Sequence, residues 1–496
     1  MHTCFFPSRK NFRELALQGN LIPVYREIIA DMETPVSAFH KIDTSDHSFL
    51  FESVEKGGKF ARYSFLGASP HLIFQARGKN ITFREGTKQR EYIIEDDPLH
   101  ELERLMSGYK PVTSGDLPLF YGGAVGYLGF EAVTQFEPTV KRAKKDDLNI
   151  PDAYFFVTDT LLIFDHLERR IKIVANAHIT DPSQPDRAYD EAVSKIEELE
   201  ARLERPVRSR LLPSVTNVQP LEPAINMTKE EYVQMTEAMQ EYIRAGDIFQ
   251  VVPSQRFEVP FDGSPIDLYR ALRLINPSPY MFCLKLGTMA LVGSSPELHV
   301  RCEEGRVQIR PIAGTRPRGK DAQEDDRLCE ELLADPKERA EHVMLVDLAR
   351  NDVGRVCKFD TVRLTDFMTT ERYSHVMHIV SNVEGELTPG HSAYDVMRAT
   401  FPAGTVSGAP KIRAMQIIAD QEPTCRGTYA GAVGYFGFSG NLDSCIAIRT
   451  VLLKGGKAYL QAGGGLVADS TPLGEYEESL NKAKAGLKAL AMAKQF

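Results

Sequence analysis

Cysteine is sparse in this chain of 496 residues, and its few cysteines form no recognisable pattern. There are seven, scattered along the sequence, and no two are spaced as C-x-x-C. This spacing argues against a structural zinc site, which needs four grouped ligands. An odd number of scattered thiols is typical of a reduced, intracellular protein. We therefore expect a cytoplasmic protein without a zinc site.

Long apolar runs and an excess of positive charge are also missing. No uninterrupted apolar run approaches the roughly 18 residues of a membrane-spanning helix. The opening residues, MHTCFFPSRK, contain no apolar segment of a secretory signal. The 59 basic and 68 acidic residues give a net charge of −9, whereas general nucleic-acid binders present a basic surface. We expect neither a membrane nor a nucleic acid as partner.

What is present is the composition of a soluble globular chain, with 43% hydrophobic and 26% charged residues. Residues 205–223 are rich in Pro, Ser and Arg and lose all periodicity, which predicts a linker. It would divide the chain into two domains, residues 1–205 and 222–496.

Strand patterns alternate with helical ones along both predicted domains. Residues 71–85 alternate on both sides of a Gly-Lys-Asn turn and predict a hairpin, and residues 153–179 predict a second pair of strands. Residues 184–204 have helical spacing, and Thr228 with Glu231 predicts a capping box at the start of another helix. Antiparallel-looking strands beside helices indicate an α+β layered fold.

One segment occurs twice. YGGAVGYLGF (121–130) recurs as YAGAVGYFGF (429–438). The repeat predicts a duplicated strand element in two related halves, with glycines where aromatic strands cross closely. The copies diverge after their last phenylalanine, so only one copy need keep a catalytic role.

Several residues could carry chemistry, and each also has a plain structural interpretation. Glu341 and Glu478 are typical of solvated helix carboxylates, yet if they converged they could bind Mg²⁺. The stretch Gly463–Gly465 is either a simple turn or a set of exposed amides that binds a carboxylate. Arg449, at the end of a strand pattern, is either a surface arginine or a bidentate carboxylate contact.

Six long motifs resemble those of the chorismate-using enzymes, and among these the large subunits of anthranilate synthases. They occur in the family's order and span most of 309–486: PIAGTRPRG, EHVMLVDLARNDVGRV, RYSHVMHIVS, FPAGTVSGAPKIRAMQII, YAGAVGYFGFSGNLDSCIAIRT and QAGGGLVADSTPLGEYEESLNKA. The resemblance implies a layered α/β/β/α sandwich with a regulatory amino-terminal domain and a chorismate-binding catalytic domain.

The resemblance also implies roles for individual residues. Glu341 and Glu478 match the family's Mg²⁺ ligands. Glu297 matches a general acid that protonates the departing C4 hydroxyl of chorismate, and His378 and Thr405 match active-site residues whose exact roles stay open. The remaining matches are substrate contacts: Gly314, Thr315, Tyr429, Arg449, Gly463, Gly464 and Gly465.

Two positions select the nucleophile. Relatives that form aminodeoxychorismate carry a reactive lysine at the position of Ala313, and those that form isochorismate or salicylate carry a lysine at the position of Gln250. A methyl group cannot attack the ring, and an amide is a poor base. The resemblance therefore implies ammonia as nucleophile, with anthranilate and pyruvate as products. Three arginines around Ala313 could bind an anionic substrate or pair with the acidic helix that follows.

The ammonia source and the regulator follow from the same resemblance. No cysteine lies in a G-x-C-x-G turn, so a separate glutamine amidotransferase subunit is implied, within a heterotetramer. FLFESVE (49–55) and NPSPYM (276–281) match elements that bind L-tryptophan as a feedback inhibitor of tryptophan synthesis. The matching positions are Ser53, Pro279, Tyr280 and Met281.

Two alternatives stay open. The first is an aminodeoxychorismate synthase subunit, against which Ala313 argues. The second is a non-catalytic protein that senses tryptophan, against which Glu297, Glu341, Arg449 and Glu478 argue.

Overall fold

The computed structural model describes residues 4–54, 62–112, 117–207, 218, 221–372 and 376–496. Most of the predicted linker therefore lies outside the described residues. Within the described ranges, no helix has both the length and the apolar character needed to cross a membrane.

The helices in the described residues vary from single turns to the six turns of the last one. In chain order they are α1 Arg9–Leu15, α2 Pro35–Ile42, α3 Pro98–Met106, α4 Val133–Phe136, α5 Pro185–Leu203, α6 Lys229–Arg244, α7 Pro265–Ile275, α8 Ala322–Ala334, α9 Pro336–Gly354, α10 Ala393–Thr400, α11 Gly404–Ser407, α12 Lys411–Gln421 and α13 Pro472–Ala493.

The strands in the described residues are mostly short. They are β1 Leu21–Ile29, β2 His47–Glu52, β3 Tyr63–Ala68, β4 Leu72–Arg77, β5 Asn80–Glu85, β6 Lys88–Ile93, β7 Gly123–Leu128, β8 Ala153–Thr158, β9 Thr160–Asp165, β10 Arg170–His178, β11 Ala224–Ile225, β12 Gln250–Val251, β13 Ser254–Pro260, β14 Tyr280–Leu286, β15 Met289–Ser295, β16 Leu298–Glu303, β17 Arg306–Ile309, β18 Ile312–Pro317, β19 Arg363–Arg372, β20 Val376–Glu386, β21 Gly408–Ala409, β22 Ala432–Gly437, β23 Leu442–Ile446, β24 Thr450–Lys454 and β25 Lys457–Gly463.

Most of these strands form two large antiparallel sheets. The first has eleven strands in the order β1-β10-β9-β3-β2-β14-β15-β24-β25-β13-β11. The second has twelve, in the order β18-β20-β17-β16-β23-β22-β7-β8-β4-β5-β6 with β19 also paired to β20. Each sheet contains strands from both sides of the predicted boundary at 205–222, joined where β2 pairs with β14 and where β7 pairs with β22. The division into two domains stays a prediction.

The two sheets pack face to face between helices. Their facing sides share one apolar core, in which Phe49 of the first sheet contacts Phe156 of the second. Helices α2, α5, α7 and α13 cover the outer face of the first sheet through a second core. Helices α9 and α10 pack on the second sheet. This arrangement confirms the predicted α+β fold and its α/β/β/α layers.

The repeated segment supplies two neighbouring strands at the centre of the second sheet. β7 and β22 pair directly, with Gly126 opposite Gly434. A Cβ added to Gly126 would lie 1.9 Å from the carbonyl oxygen of Tyr154, and one on Gly434 would lie 2.1 Å from that of Asp443. Both glycines are therefore required by close approach of neighbouring backbone, as the repeat predicted.

The local predictions are confirmed with one correction. β4 and β5 form the predicted hairpin, α5 occupies the predicted helical stretch, and the capping box of Thr228 and Glu231 begins α6. Residues 153–179, however, form three strands rather than two, and β8 belongs to the second sheet while β9 and β10 belong to the first. Because β8 and β9 are both deeply buried, their hydropathy carries no sign of the change of sheet at Asp159.

Candidate active site

Two helices bring four carboxylates to the same place. α9, which follows the capping residue Asp335, carries Glu338 and Glu341, while α13 carries Glu475 and Glu478. The two helices lie on either side of the three-glycine stretch. A Cβ on Gly464 would lie 2.3 Å from Glu475 Oε2 and 3.2 Å from Glu478 Cδ, and one on Gly465 would lie 3.5 Å from Glu341 Oε1. Glu341 and Glu478, whose convergence sequence could not show, thus flank the same backbone.

The electrostatics of this cluster favour a cation. Burial raises the pKa of Glu341, and the nearby charges of Glu338 and Glu478 raise it further. Burial likewise raises the pKa of Glu475, whose Oε2 atom is buried and has no hydrogen-bond partner. Mutually repelling carboxylates with an unpartnered oxygen suit a hard cation. Within the described ranges, no group of three such side chains already stands at metal-ligand spacing.

Substrate-contact candidates from three further segments meet beside these carboxylates. Lys482 Nζ donates to the carbonyl oxygen of Gly463 at 2.9 Å and pairs with Glu478 at 2.6 Å. Burial lowers the pKa of Arg449, and electrostatic interactions with Tyr429, Glu478 and Glu297 oppose this effect, so Arg449 lies within electrostatic range of these three groups. Arg449 has a φ of +51°. A left-handed arginine is strained, and such strain concentrates at functional sites.

Glu297 lies between β15 and β16 as a buried acid. The hydroxyl of Thr405, in α11, donates to its Oε1 atom at 2.6 Å. Burial raises the pKa of Glu297 to about 7, although Thr405, Arg449 and Lys482 each lower it. A carboxyl group with this pKa is partly protonated at neutral pH and can serve as a proton donor.

His378, on β20, faces the Gly314–Thr315 pair of β18. Its Nδ1 atom lies 2.7 Å from the carbonyl oxygen of Gly314 and 3.1 Å from Thr315 Oγ1. A carbonyl oxygen only accepts, so we assign the proton to Nδ1 and the lone pair to Nε2. Burial lowers the pKa of His378, which keeps the ring neutral. Gly314 has a φ of +67°, which a residue without a side chain adopts at low cost.

The three arginines around Ala313 are held by carboxylates. Arg318 pairs with Asp325 of α8, as predicted for the acidic helix. Arg316 pairs with Asp335 and Glu338 at the start of α9, and Arg310 pairs with Glu371. Arg316 therefore ties the Ala313 strand to the helix that carries Glu341.

A separate cavity of about 530 Å³ lies between the two sheets. The four residues matched to the tryptophan site, Ser53, Pro279, Tyr280 and Met281, all line it. Ser53 Oγ is buried without a hydrogen-bond partner, and Tyr280 Oη donates to Asp443 at 3.0 Å. Apolar walls with a few fixed polar groups are typical of a small-molecule site.

Sequence reasoning missed Glu338 and Glu475 as members of the site. Each stands three residues before a predicted ligand, so both helices carry the same E-x-x-E spacing. Residues three apart share a helix face, and this repeated spacing is the signal that could have found them. The structure also places Gln250 here, with its Nε2 atom donating to Glu341 Oε1 at 3.1 Å.

Comparison with known proteins identifies the family of this chain. The family model for chorismate binding enzymes matches residues 46–488. Anthranilate synthase component 1 of Acetivibrio thermocellus is 46% identical over 99% of both chains, and that of Pseudomonas aeruginosa is 45% identical over 98% of this chain and 99% of its own. The crystal structure of anthranilate synthase component I from Streptococcus pneumoniae has 36% identity, a TM-score of 0.77, and coverage of 93% of this chain and 99% of that one.

A more distant structure shares the fold. The menaquinone-specific isochorismate synthase of Escherichia coli has 19% identity and a TM-score of 0.70, covering 97% of this chain and 98% of its own. The chain belongs to the family of chorismate binding enzymes.

Proposed function

We propose that this chain is the large subunit of an anthranilate synthase, which converts chorismate and ammonia to anthranilate, pyruvate and water, the first step of tryptophan synthesis. The observation that carries the proposal is the position of Glu297, a buried acid beside the Tyr429 and Arg449 clamp, in a site with Ala313 and Gln250 where other branches carry lysine. The curated relatives that match nearly the whole chain support it.

In the proposed reaction, the chain's own groups bind the substrate and move one proton. Arg449, Tyr429 and the amides of Gly463–Gly465 hold the carboxylates of chorismate. Ammonia forms a bond to C2 while Glu297 protonates the C4 hydroxyl, which leaves as water. Loss of the C2 proton and cleavage of the C3–O bond then make the ring aromatic and release enolpyruvate, which takes up a proton at its methylene carbon to give pyruvate. We assign no proton transfer to His378 or Thr405. In this proposal both side chains orient their neighbours.

We propose Mg²⁺ as cofactor, held by Glu341 and Glu478. The donors fit, because carboxylate oxygens are the ligands Mg²⁺ prefers and the buried Oε2 atom of Glu475 has no hydrogen-bond partner. When bound, the ion would polarise the ring carboxylate of chorismate.

Ammonia would come from a glutamine amidotransferase subunit, with the two chains assembled as a heterotetramer. The cysteines of this chain support a separate source. Burial raises the pKa of Cys283, Cys302, Cys357, Cys425 and Cys445, which keeps these thiols protonated and unreactive.

L-tryptophan would inhibit the enzyme by binding in the 530 Å³ cavity. Arg62, Glu52, Arg301 and Asp443 also line this cavity and offer charges for both ends of an amino acid, while its aromatic and apolar walls suit an indole. The cavity reaches Leu298, next to Glu297, and Ile312, next to Ala313. Binding of tryptophan there could therefore shift β16 and β18 and change the geometry of the active site.

The direct test mixes the purified chain with chorismate, Mg²⁺ and ammonium at mildly alkaline pH and follows anthranilate fluorescence, with EDTA as a check on the metal. Glu478→Gln should lower kcat/KM by about 10²-fold or more because the site loses a charged ligand, whereas Glu477→Gln, one residue away on the exposed face, should not. A non-aromatic amine as product would support the aminodeoxychorismate alternative. Unconsumed chorismate would support the non-catalytic one.

Regulation is tested by the inhibition of turnover with L-tryptophan. Ser53→Tyr places a bulky ring in the cavity and should weaken inhibition by about tenfold or more without lowering the maximal rate. Ser183→Ala, at an exposed site, is the control. Undiminished inhibition of the Ser53 variant would remove this cavity from the regulatory site.

A further inference from the structure

Beneath the active site lies a buried ion pair that the reaction above does not use. Arg426 is 2% exposed and Glu422, just after α12, is also 2% exposed. The guanidinium holds both carboxylate oxygens, with Nη2 donating to Oε1 at 2.6 Å and Nε donating to Oε2 at 2.9 Å. This fork-to-fork geometry is specific to arginine.

Three further contacts of the Arg426 side chain reach segments that carry site residues. Nη1 donates to the carbonyl oxygen of Val406 at 2.8 Å, directly after Thr405. Nη2 donates to that of Val252 at 2.6 Å, two residues after Gln250. The guanidinium carbon also stands 5.5 Å from the ring centroid of Tyr429.

Glu422 extends the connections to the glycine stretch. Its Oε1 atom accepts from the backbone N–H of Ser254 at 2.9 Å and from the Ser254 hydroxyl at 2.8 Å. Ser254 stands opposite Gly463 in the pairing of β13 with β25, and Gln461 donates to the same hydroxyl at 2.8 Å.

We propose that Arg426 and Glu422 form a positioning pair that holds the Thr405, Tyr429 and Gly463 segments in the relative placement that chorismate binding requires. The inference rests on the proposed function, since it assigns those segments to the substrate site. A buried ion pair often stabilises a fold no more than apolar residues of similar volume, so stability alone gives little reason for it. Its contacts instead join segments about 170 residues apart in sequence, as the separation of Arg426 and Val252 shows.

The test compares Arg426→Lys with Arg26→Lys. Lysine is a single point charge and cannot hold both carboxylate oxygens and two carbonyls together. Arg26, on β1 at the opposite end of the first sheet from β13, is itself buried and pairs with the half-buried Glu200. For Arg426→Lys we expect kcat/KM for chorismate to fall by about 10²-fold, with the KM for ammonia changed by less than about twofold. Arg26→Lys should lower the Tm and leave kcat/KM for chorismate unchanged.

Two further measurements keep the test decisive. If Arg426→Lys does not fold, Ser254→Ala removes one hydrogen bond to Glu422 and should raise the KM for chorismate by about threefold or more. Titration calorimetry with chorismate and Mg²⁺, without ammonia, measures binding even if the parent chain makes no anthranilate. This measurement therefore separates failure of the positioning role from failure of the proposed function. The positioning role would be overturned if Arg426→Lys and Ser254→Ala both bound chorismate as tightly as Arg26→Lys does.

Discussion

At the scale of single residues, the acid Glu297 sets how activity should depend on pH. Burial raises its pKa to about 7, while the Thr405 hydroxyl and the charges of Arg449 and Lys482 lower it. In the proposed reaction the protonated form donates the proton, so kcat/KM at a fixed concentration of free ammonia should fall as pH rises through about 7. Glu297→Gln, which cannot donate that proton, should lower kcat by about 10²-fold or more.

Thr405→Val should move that pH dependence in a defined direction. The substitution removes the hydrogen bond that lowers the pKa of Glu297, so the alkaline limb of kcat/KM should shift to higher pH. Ser407→Ala is the matched control, because Ser407 lies in the same helix and its hydroxyl bonds to Ala403 instead. A limb that stays in place, or moves equally in both variants, would contradict the assignment of Glu297 as the titrating acid.

Residue identities were more predictable than residue positions. Glu341 and Glu478 stand in motifs that can be matched one by one, yet only the folded backbone shows that α9 and α13 face the same glycines. Glu338 and Glu475 were missed because a glutamate on an acidic helix is usually a solvated side chain. Arg426 was missed because sequence gives no sign that a charged residue in a loop is fully buried.

At the scale of elements, the three-glycine stretch that begins at the last residue of β25 should tolerate no side chain. A Cβ on Gly464 would lie 2.3 Å from Glu475 Oε2 and displace the carboxylates of α13. We expect Gly464→Ala to lower kcat/KM for chorismate by about 10²-fold and to raise the Mg²⁺ concentration needed for activity. Thermal unfolding should be measured in parallel to separate this effect from a loss of stability.

Gly354→Ala is the control for that substitution. Gly354 ends α9, and a Cβ there would meet no atom within 4 Å. Because alanine favours helix, this variant should be neutral or slightly stabilising, by less than about 1 kcal/mol. Equal activity of the two alanine variants would show that the glycines form a plain turn.

Elements fixed by local chemistry were predicted well. Capping at Thr228, the helical spacing of α5 and the turn between β4 and β5 depend on neighbours in sequence. The separation of β8 from β9 into different sheets could not be predicted, because it depends on which partners cover two equally buried strands.

At the scale of the whole molecule, the chain's two predicted domains share both sheets. β2 pairs with β14 over six residue pairs, and β7 pairs with β22 over six more. The repeat at 121–130 and 429–438 predicted related halves, but pairing across more than 300 residues of sequence follows from tertiary packing, which periodicity does not encode. The cavity between the sheets exists only when both parts are present, since Ser53 and Tyr280 line it together.

Separating the two parts should therefore abolish folding of each. We expect residues 222–496, expressed alone, to be insoluble or inactive, because β14 and β22 would expose unpaired edges and the apolar faces that β2 and β7 cover. Co-expression of residues 1–207 with 222–496 should restore a soluble complex with chorismate-dependent anthranilate formation and tryptophan inhibition. Size-exclusion chromatography with an activity assay measures both. A soluble, active 222–496 alone would instead establish it as an independent catalytic domain and show that the shared sheets contribute little to its stability.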